Sequence, residues 1–173
     1  SPAAGSQLAE AGRAGIPVQE ADDDASWSAI ASTLPRHAVI VDALLGTGLS
    51  GAARGLYARA IADVNGSGSF VVAVDIPSGL SGSHPHLSGP AIRAEHTIAL
   101  ACPKVAHIFP PAADFVGRLH VVDIGIPGEA IDAEKATLNL IVEDEVAALL
   151  PPRDPESHKG DYGRVLVVGG STG

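Results

Sequence analysis

The sequence predicts an α/β fold built on a mostly parallel sheet. Three observations carry this. Residues 37–42 (HAVIVD) and 69–75 (SFVVAVD) are near-continuous apolar runs, each ending in aspartate, the pattern of strands covered on both faces. Between them, Leu56, Ala60, Ile61 and Val64 recur at helical spacing. Two further apolar runs, 95–101 and 118–124, are set off by proline- and glycine-containing turns, so strands alternate with connecting segments as in a layered α/β domain.

Taken in order, residues 1–15 are small and polar with scattered Leu and Ala, and read as the second half of a helix. Gly15-Ile16-Pro17-Val18 reads as a turn into a short strand. Asp22-Asp23-Asp24 reads as a solvated helix start, since carboxylates suit the positive end of a helix dipole. The helix covers 26–34 and stops at Pro35. The strand at 37–42 runs into Ala43-Leu44-Leu45-Gly46-Thr47-Gly48, a glycine-rich turn, and the helix at 54–64 ends at Gly66-Ser67-Gly68. The strand at 69–75 turns sharply at Ile76-Pro77-Ser78-Gly79, and 81–90 is loop. The strand at 95–101 is closed by Pro103, and the strand at 118–124 by Gly125-Ile126-Pro127-Gly128. Residues 141–150 read as a short strand and a helix starting near Glu143-Asp144-Glu145. Pro151-Pro152-Arg153-Asp154-Pro155 is stiff and marks a boundary. The run 164–168 reads as a strand leading to Gly169-Gly170-Ser171-Thr172-Gly173, the opening of a nucleotide-binding unit.

Composition removes several functions. The length of 173 residues leaves room for one domain and a little more. There is no Met, the first residues are Ser1-Pro2-Ala3, and the last lie in a glycine run, so a piece of a longer protein is expected. Lys and Arg total 11 against 20 Asp and Glu, a net charge of −9, which argues against a nucleic-acid binder. Aromatics at 3% leave no base-stacking platform. The single cysteine, Cys102, excludes an internal disulfide and disfavours a zinc cluster, so a cytoplasmic location is expected. No apolar run approaches the roughly 20 residues of a membrane span.

The chemistry concentrates where two strands end in Asp42 and Asp75 and enter glycine-containing turns. In an open parallel sheet, ligands bind at the carboxyl ends of the strands. Backbone N–H groups of such turns can hold a phosphate, and a carboxylate beside them can move a proton. Each part also has a plainer meaning. Aspartate after a strand caps helices and forms turns. The Gly46-Thr47-Gly48 turn lacks the Gly-Lys-Ser/Thr of a P-loop and the downstream acid of a dinucleotide fingerprint. Ser78 is not in a Gly-x-Ser-x-Gly elbow, so its hydroxyl reads as an oxygen ligand or turn donor rather than a nucleophile. Lys104 either faces the same edge or is solvated. His84 and His86 share a loop without a carboxylate cluster, a poor metal site.

Asp42-Ala43-Leu44-Leu45-Gly46-Thr47-Gly48-Leu49-Ser50-Gly51, then Val74-Asp75-Ile76-Pro77-Ser78-Gly79, then Ala94, Thr97 and Pro103-Lys104, resemble the YjeF N-terminal domain family of NAD(P)H-hydrate epimerases. The later Leu150-Pro151-Pro152-Arg153, Ser157-His158-Lys159-Gly160 and the run from Gly163 to Ser171 are similar to the start of an ADP- or ATP-dependent NAD(P)H-hydrate dehydratase domain. The resemblance covers the chain from about Pro35 onward and implies a bifunctional enzyme that repairs hydrated nicotinamide nucleotides. The fold it implies is a Rossmann-like three-layer α/β/α sandwich, incomplete here, followed by the first elements of a ribokinase-like domain. The domains would then be 1–138 and 139–173.

The resemblance also implies roles. Asp42 and Ser78 correspond to potassium ligands, and an all-oxygen site suits that ion. Gly46, Thr47, Gly48, Leu49, Ser50, Gly51 and Ala52 correspond to the loop at the hydrate's phosphates. Asp75 corresponds to the acid at the substrate and is the candidate for proton transfer between the R and S hydrates. The implied partners are the NADH and NADPH hydrates and a second copy of the chain in a homo-oligomer, with neither nucleic acid nor membrane. The family's Asn-Asn-Gly-Gly-Asp-Gly loop has no counterpart in the sequence, so an incomplete epimerase site and no dehydratase activity are expected of these residues alone. A ribokinase-like small-molecule kinase and a non-catalytic nucleotide-binding module remain the alternatives.

Overall fold

The structure is a computed structural model that describes residues 2–34, 39–49, 51–134, 136–150, 152, 154–158, 160–164 and 166–170, without the side chains of 2–4. The expected Pro35 stop, the first residues of the 37–42 run, Ser50, and the end of the final glycine run lie outside the described residues. The chain forms two compact units, Ser1–Pro127 and Gly128–Gly173.

The first unit opens with α1 (Pro2–Arg13). Its end is a Schellman closure: Ile16 N–H donates to Ala11 O at 3.0 Å and Gly15 N–H to Gly12 O at 3.1 Å. That closure engages the Ile16 N–H, and 16–22 follow as irregular chain rather than the expected short strand. The acidic run does start a helix, α2 (Asp24–Ala31), with Asp23 as its N-cap. Ser26 N–H donates to Asp23 Oδ1 at 2.8 Å and Asp23 N–H to Ser26 Oγ at 3.1 Å, a capping box. Hydrogen bonds from the Ser26 side chain and then its backbone hold the Asp23 carboxyl below its ordinary value.

The four expected sheet strands form: β1 (Val39–Asp42), β2 (Phe70–Val74), β3 (His96–Leu100) and β4 (Arg118–Val122). They pair in the order β1-β2-β3-β4, all parallel. Parallel neighbours need crossovers, and the first is α3 (Gly55–Gly66), which buries Ala60, Ile61 and Val64. These pack with Val71, Ala73, Ile92 and Ala94. A second cluster of Ile76, Leu80, Ala91, Ala106, Ala112 and Val116 sits under α4 (Val105–Ile108) and a 3-10 turn at Ala112–Phe115. Arg59 and Trp27 lock α2 to α3, through Asp24 at 3.2 Å and Asp63 at 2.8 Å respectively.

Both clusters use the same face of the sheet. Register places Val71 beside Ile40 and Thr97 beside Ala73 and Leu119. The Thr97 hydroxyl donates to Val116 O at 2.7 Å, satisfying a buried polar group. On the other face Val39, Val41, Phe70 and Val74 are exposed. The described residues thus supply the sheet and one helical layer of the expected sandwich.

In the second unit, α5 (Gly128–Ala133) and α6 (Glu143–Leu149) have no buried residue. Glu143, Asp144 and Glu145 occupy the first turn of α6, as expected from the acidic run. The expected strands near 141 and over 164–168 are absent among the described residues, and Val165 lies outside them. A strand is held by its ladder partners, and Leu166, Val167 and Val168 are 87%, 84% and 88% exposed, with no ladder to join.

Candidate active site

Because β1, β2 and β3 are parallel, the residues that follow them converge at one carboxyl edge. Three segments meet there: 42–52, 75–82 and 100–107.

Asp42 closes β1 and is 2% exposed. Its Oδ1 accepts from the Ser78 hydroxyl at 2.6 Å and from Leu44 N–H at 3.3 Å; its Oδ2 accepts from Ser78 N–H at 2.8 Å. Ser78 is fully buried, and its Oγ also accepts from Leu45 N–H at 2.9 Å. The two residues expected to work together are therefore in direct contact. Among the described residues, no Lys, Arg or His forms an ion pair with Asp42. Its partners are neutral donors alone, and the oxygens gathered there are those a hard cation such as potassium takes. On donor chemistry the site fits such an ion. No cluster of three or more His, Cys, Asp or Glu occurs among the described residues.

Asp75 does not touch Asp42. It leaves β2 with φ of 65°, one of two non-glycine residues in the left-handed region among the described residues; the other is Ala101, just beyond β3. Such strain costs roughly 1 kcal/mol or more and is held by surrounding structure. Here Asp75 N–H donates to Ile98 O at 2.8 Å, and Asp75 Oδ1 accepts from Leu100 N–H at 3.0 Å. Oδ1 also accepts from Lys104 Nζ, which donates in addition to Leu100 O at 3.0 Å. The Lys104 and Asp75 side chains are 21% and 23% exposed, so the pair sits at the floor of the edge rather than in open water.

The glycine turn borders both groups. Leu44 and Leu45 hold Asp42 and Ser78. A Cβ on Gly82 would lie 3.2 Å from Thr47 Cγ2 and 3.6 Å from Lys104 Cγ, so Thr47 stands beside the lysine. A Cβ on Gly89 would lie 2.7 Å from Ala52 Cβ, which seats the far end of the turn. Gly46, Thr47, Gly48 and Leu49 make a tight turn in which Leu49 N–H donates to Gly46 O at 3.3 Å, and Gly51 has φ of 106°. Ser50 is outside the described residues.

Sequence reasoning missed His107. It is 5% exposed, its Nδ1 accepts from Lys104 N–H at 3.0 Å, and its Nε2 makes no hydrogen bond of good geometry among the described residues. The available sign was the spacing of Lys104 and His107, three apart after Pro103, as in a helix-start box. Burial first, and then the Lys104 ammonium, push the ring's pKa down; the nearby Asp75 backbone and carboxylate oppose this weakly. The unfolded chain therefore binds the proton more readily than the folded one. Stability from this group is full above the unfolded value of 6.5 and is lost as pH falls below it. Thermal unfolding of wild type should drop between about pH 7.5 and about pH 5.5 more steeply than that of His107→Gln.

A family model described as "YjeF-related protein N-terminus" matches residues 1–106. The chain belongs to this family. In the YjeF-related chain, the match contains both aspartates, the glycine turn, Ser78 and Lys104. It is 40% identical over 159 residues to the bifunctional NAD(P)H-hydrate repair enzyme Nnr of Thermofilum pendens, covering 92% of this chain and 29% of that protein. It is 43% identical over 135 residues to the enzyme of the same name from Moorella thermoacetica, covering 78% of this chain and 26% of that protein. The Escherichia coli enzyme of that name is 37% identical over 135 residues, with 78% and 26% covered. The chain thus spans less than a third of the length of these relatives. Among the described residues, no helix is long and apolar enough to cross a membrane.

Proposed function

We propose that this chain contributes to an NAD(P)H-hydrate epimerase, with Asp75 as the group that moves the proton. The observation that carries the reading is a largely buried carboxylate, still partly open at the sheet's carboxyl edge, paired with Lys104 and standing beside a glycine turn. The hydrate carbon bears both a hydroxyl and the ring nitrogen. If Asp75 takes the hydroxyl proton, the C–N bond can open, its electron pair passing to nitrogen and leaving an aldehyde. Reclosure on the other face, with the proton returned, inverts the centre. Turn residues Gly46 to Ala52 would hold the nucleotide's phosphates through backbone N–H groups, so a net charge of −9 is no obstacle. The test is to supply the purified R hydrate to the full-length protein and follow the S form by chromatography. Absence of interconversion overturns the reading.

Asp42 and Ser78 would hold a potassium ion, which supplies positive charge beside the turn. Asp42→Ala in the full-length protein should remove any stimulation by potassium over sodium, read as activity in the two salts. Residues 1–138 would belong to the epimerase domain and 139–173 to the start of a dehydratase domain, which removes water from the S hydrate using ADP or ATP. A cytoplasmic homo-oligomer goes with this reading.

A further inference from the structure

Asp75 is held by one oxygen only. Its Oδ1 accepts from Leu100 N–H at 3.0 Å and from Lys104 Nζ, whereas Oδ2 makes no hydrogen bond among the described residues. We propose that Lys104 is a positioning residue that pins Oδ1 and so leaves Oδ2 as the oxygen that exchanges the proton. This rests on the reading of Asp75 given above.

The lysine is built for one position. Its ammonium is fixed at two points, Asp75 Oδ1 and Leu100 O, the latter at 3.0 Å. Its backbone N–H is fixed at a third, His107 Nδ1 at 3.0 Å, and His107 is itself buried. Its stem runs past Gly82, where a Cβ would crowd Thr47 Cγ2 at 3.2 Å and reach ordinary contact with the lysine's own Cγ at 3.6 Å. A solvated surface lysine has none of these restraints. An ammonium is a donor three times over and never an acceptor, so it occupies Oδ1 without competing for the substrate proton. A carboxylate free to rotate about its last torsion would present either oxygen to the hydrate. With Oδ1 bonded to Lys104 and Leu100, rotation breaks both bonds. Orientation of this kind shows in the chemical step rather than in ground-state binding.

The experiment compares Lys104→Ala, Lys104→Arg and Asp75→Asn in the full-length protein, each checked for unchanged thermal unfolding and unchanged hydrate dehydration. Lys104→Ala should lower kcat for epimerisation by about ten- to a hundred-fold, with KM within about three-fold. Lys104→Arg, which keeps a cationic donor, should recover most of that loss, and methylammonium added to Lys104→Ala should recover part of it. Normal turnover in Lys104→Ala alongside an inactive Asp75→Asn overturns this proposal alone. So does a Lys104→Arg variant as impaired as Lys104→Ala, or a loss carried by KM. Normal turnover in Asp75→Asn overturns the reading of Asp75 and this proposal with it. Should Lys104→Ala unfold early, Lys104→Met, which keeps the stem against Gly82, carries the same comparison.

Discussion

Asp75→Asn should slow interconversion of the R and S hydrates by about two to four orders of magnitude in protein that remains folded. Asparagine is nearly isosteric with aspartate and is among the few residues that tolerate a φ of 65°, so the backbone beyond β2 is not disturbed. Its amide oxygen can still accept from Leu100 N–H and Lys104 Nζ. What it loses is the ability to take a proton. Activity falling with folding intact is thus the expected signature, measured by turnover and by circular dichroism on the same sample. In the full-length protein, hydrate dehydration by the proposed dehydratase domain should continue at the wild-type rate. Turnover within about three-fold of wild type would show that another group moves the proton.

The second large effect concerns stability. Gly117 precedes β4 with φ of 61°, and a Cβ there would lie 2.3 Å from both Ala94 O and Glu95 O. Those carbonyls are backbone at the start of β3, and Glu95 O already accepts from Arg118 N–H at 2.8 Å. Gly117→Ala must push β4 away from β3 at the point where their ladder begins, His96 beside Arg118. The left-handed backbone costs about 1–2 kcal/mol for a residue with Cβ, and the overlap adds about 1–3 kcal/mol. The total of about 2–5 kcal/mol should appear as a lower urea midpoint. Gly125→Ala is the internal control. Gly125 also has a positive φ, 81°, but a Cβ there meets nothing within 4 Å, so only the backbone part of the cost applies. Equal losses in the two variants would show that the overlap is relieved at no cost.

Much of the first unit was legible because burial leaves periodicity. The apolar runs before Asp42 and Asp75, the spacing of Ala60, Ile61 and Val64, and the acidic run at 22–24 as a helix start each express a local rule and each formed; that Asp23 of that run is the N-cap came from the structure. The strands expected near Ile16, Ile141 and Leu166 failed for a shared reason. Apolar β-branched runs supply a preference, but a strand exists only where another edge accepts its hydrogen bonds, and at these three places none does among the described residues. The candidate site divides the same way. Asp42, Ser78 and Asp75 stand out because strand ends and turns are local. That Asp42 grips Ser78 while Asp75 turns instead to Lys104 depends on which neighbouring loop comes close, as does the burial of His107 under Lys104. Nothing in residue spacing encodes that choice.

The left-handed backbone at Asp75 carries a consequence for evolution and for engineering. Selection for thermostability alone favours glycine at such a position, since glycine adopts it without penalty. Selection for chemistry keeps a carboxylate there. Libraries sorted only by heat resistance should therefore drift at position 75 toward proteins that survive heating and no longer turn over their substrate. A screen on this family needs an activity gate at that single codon.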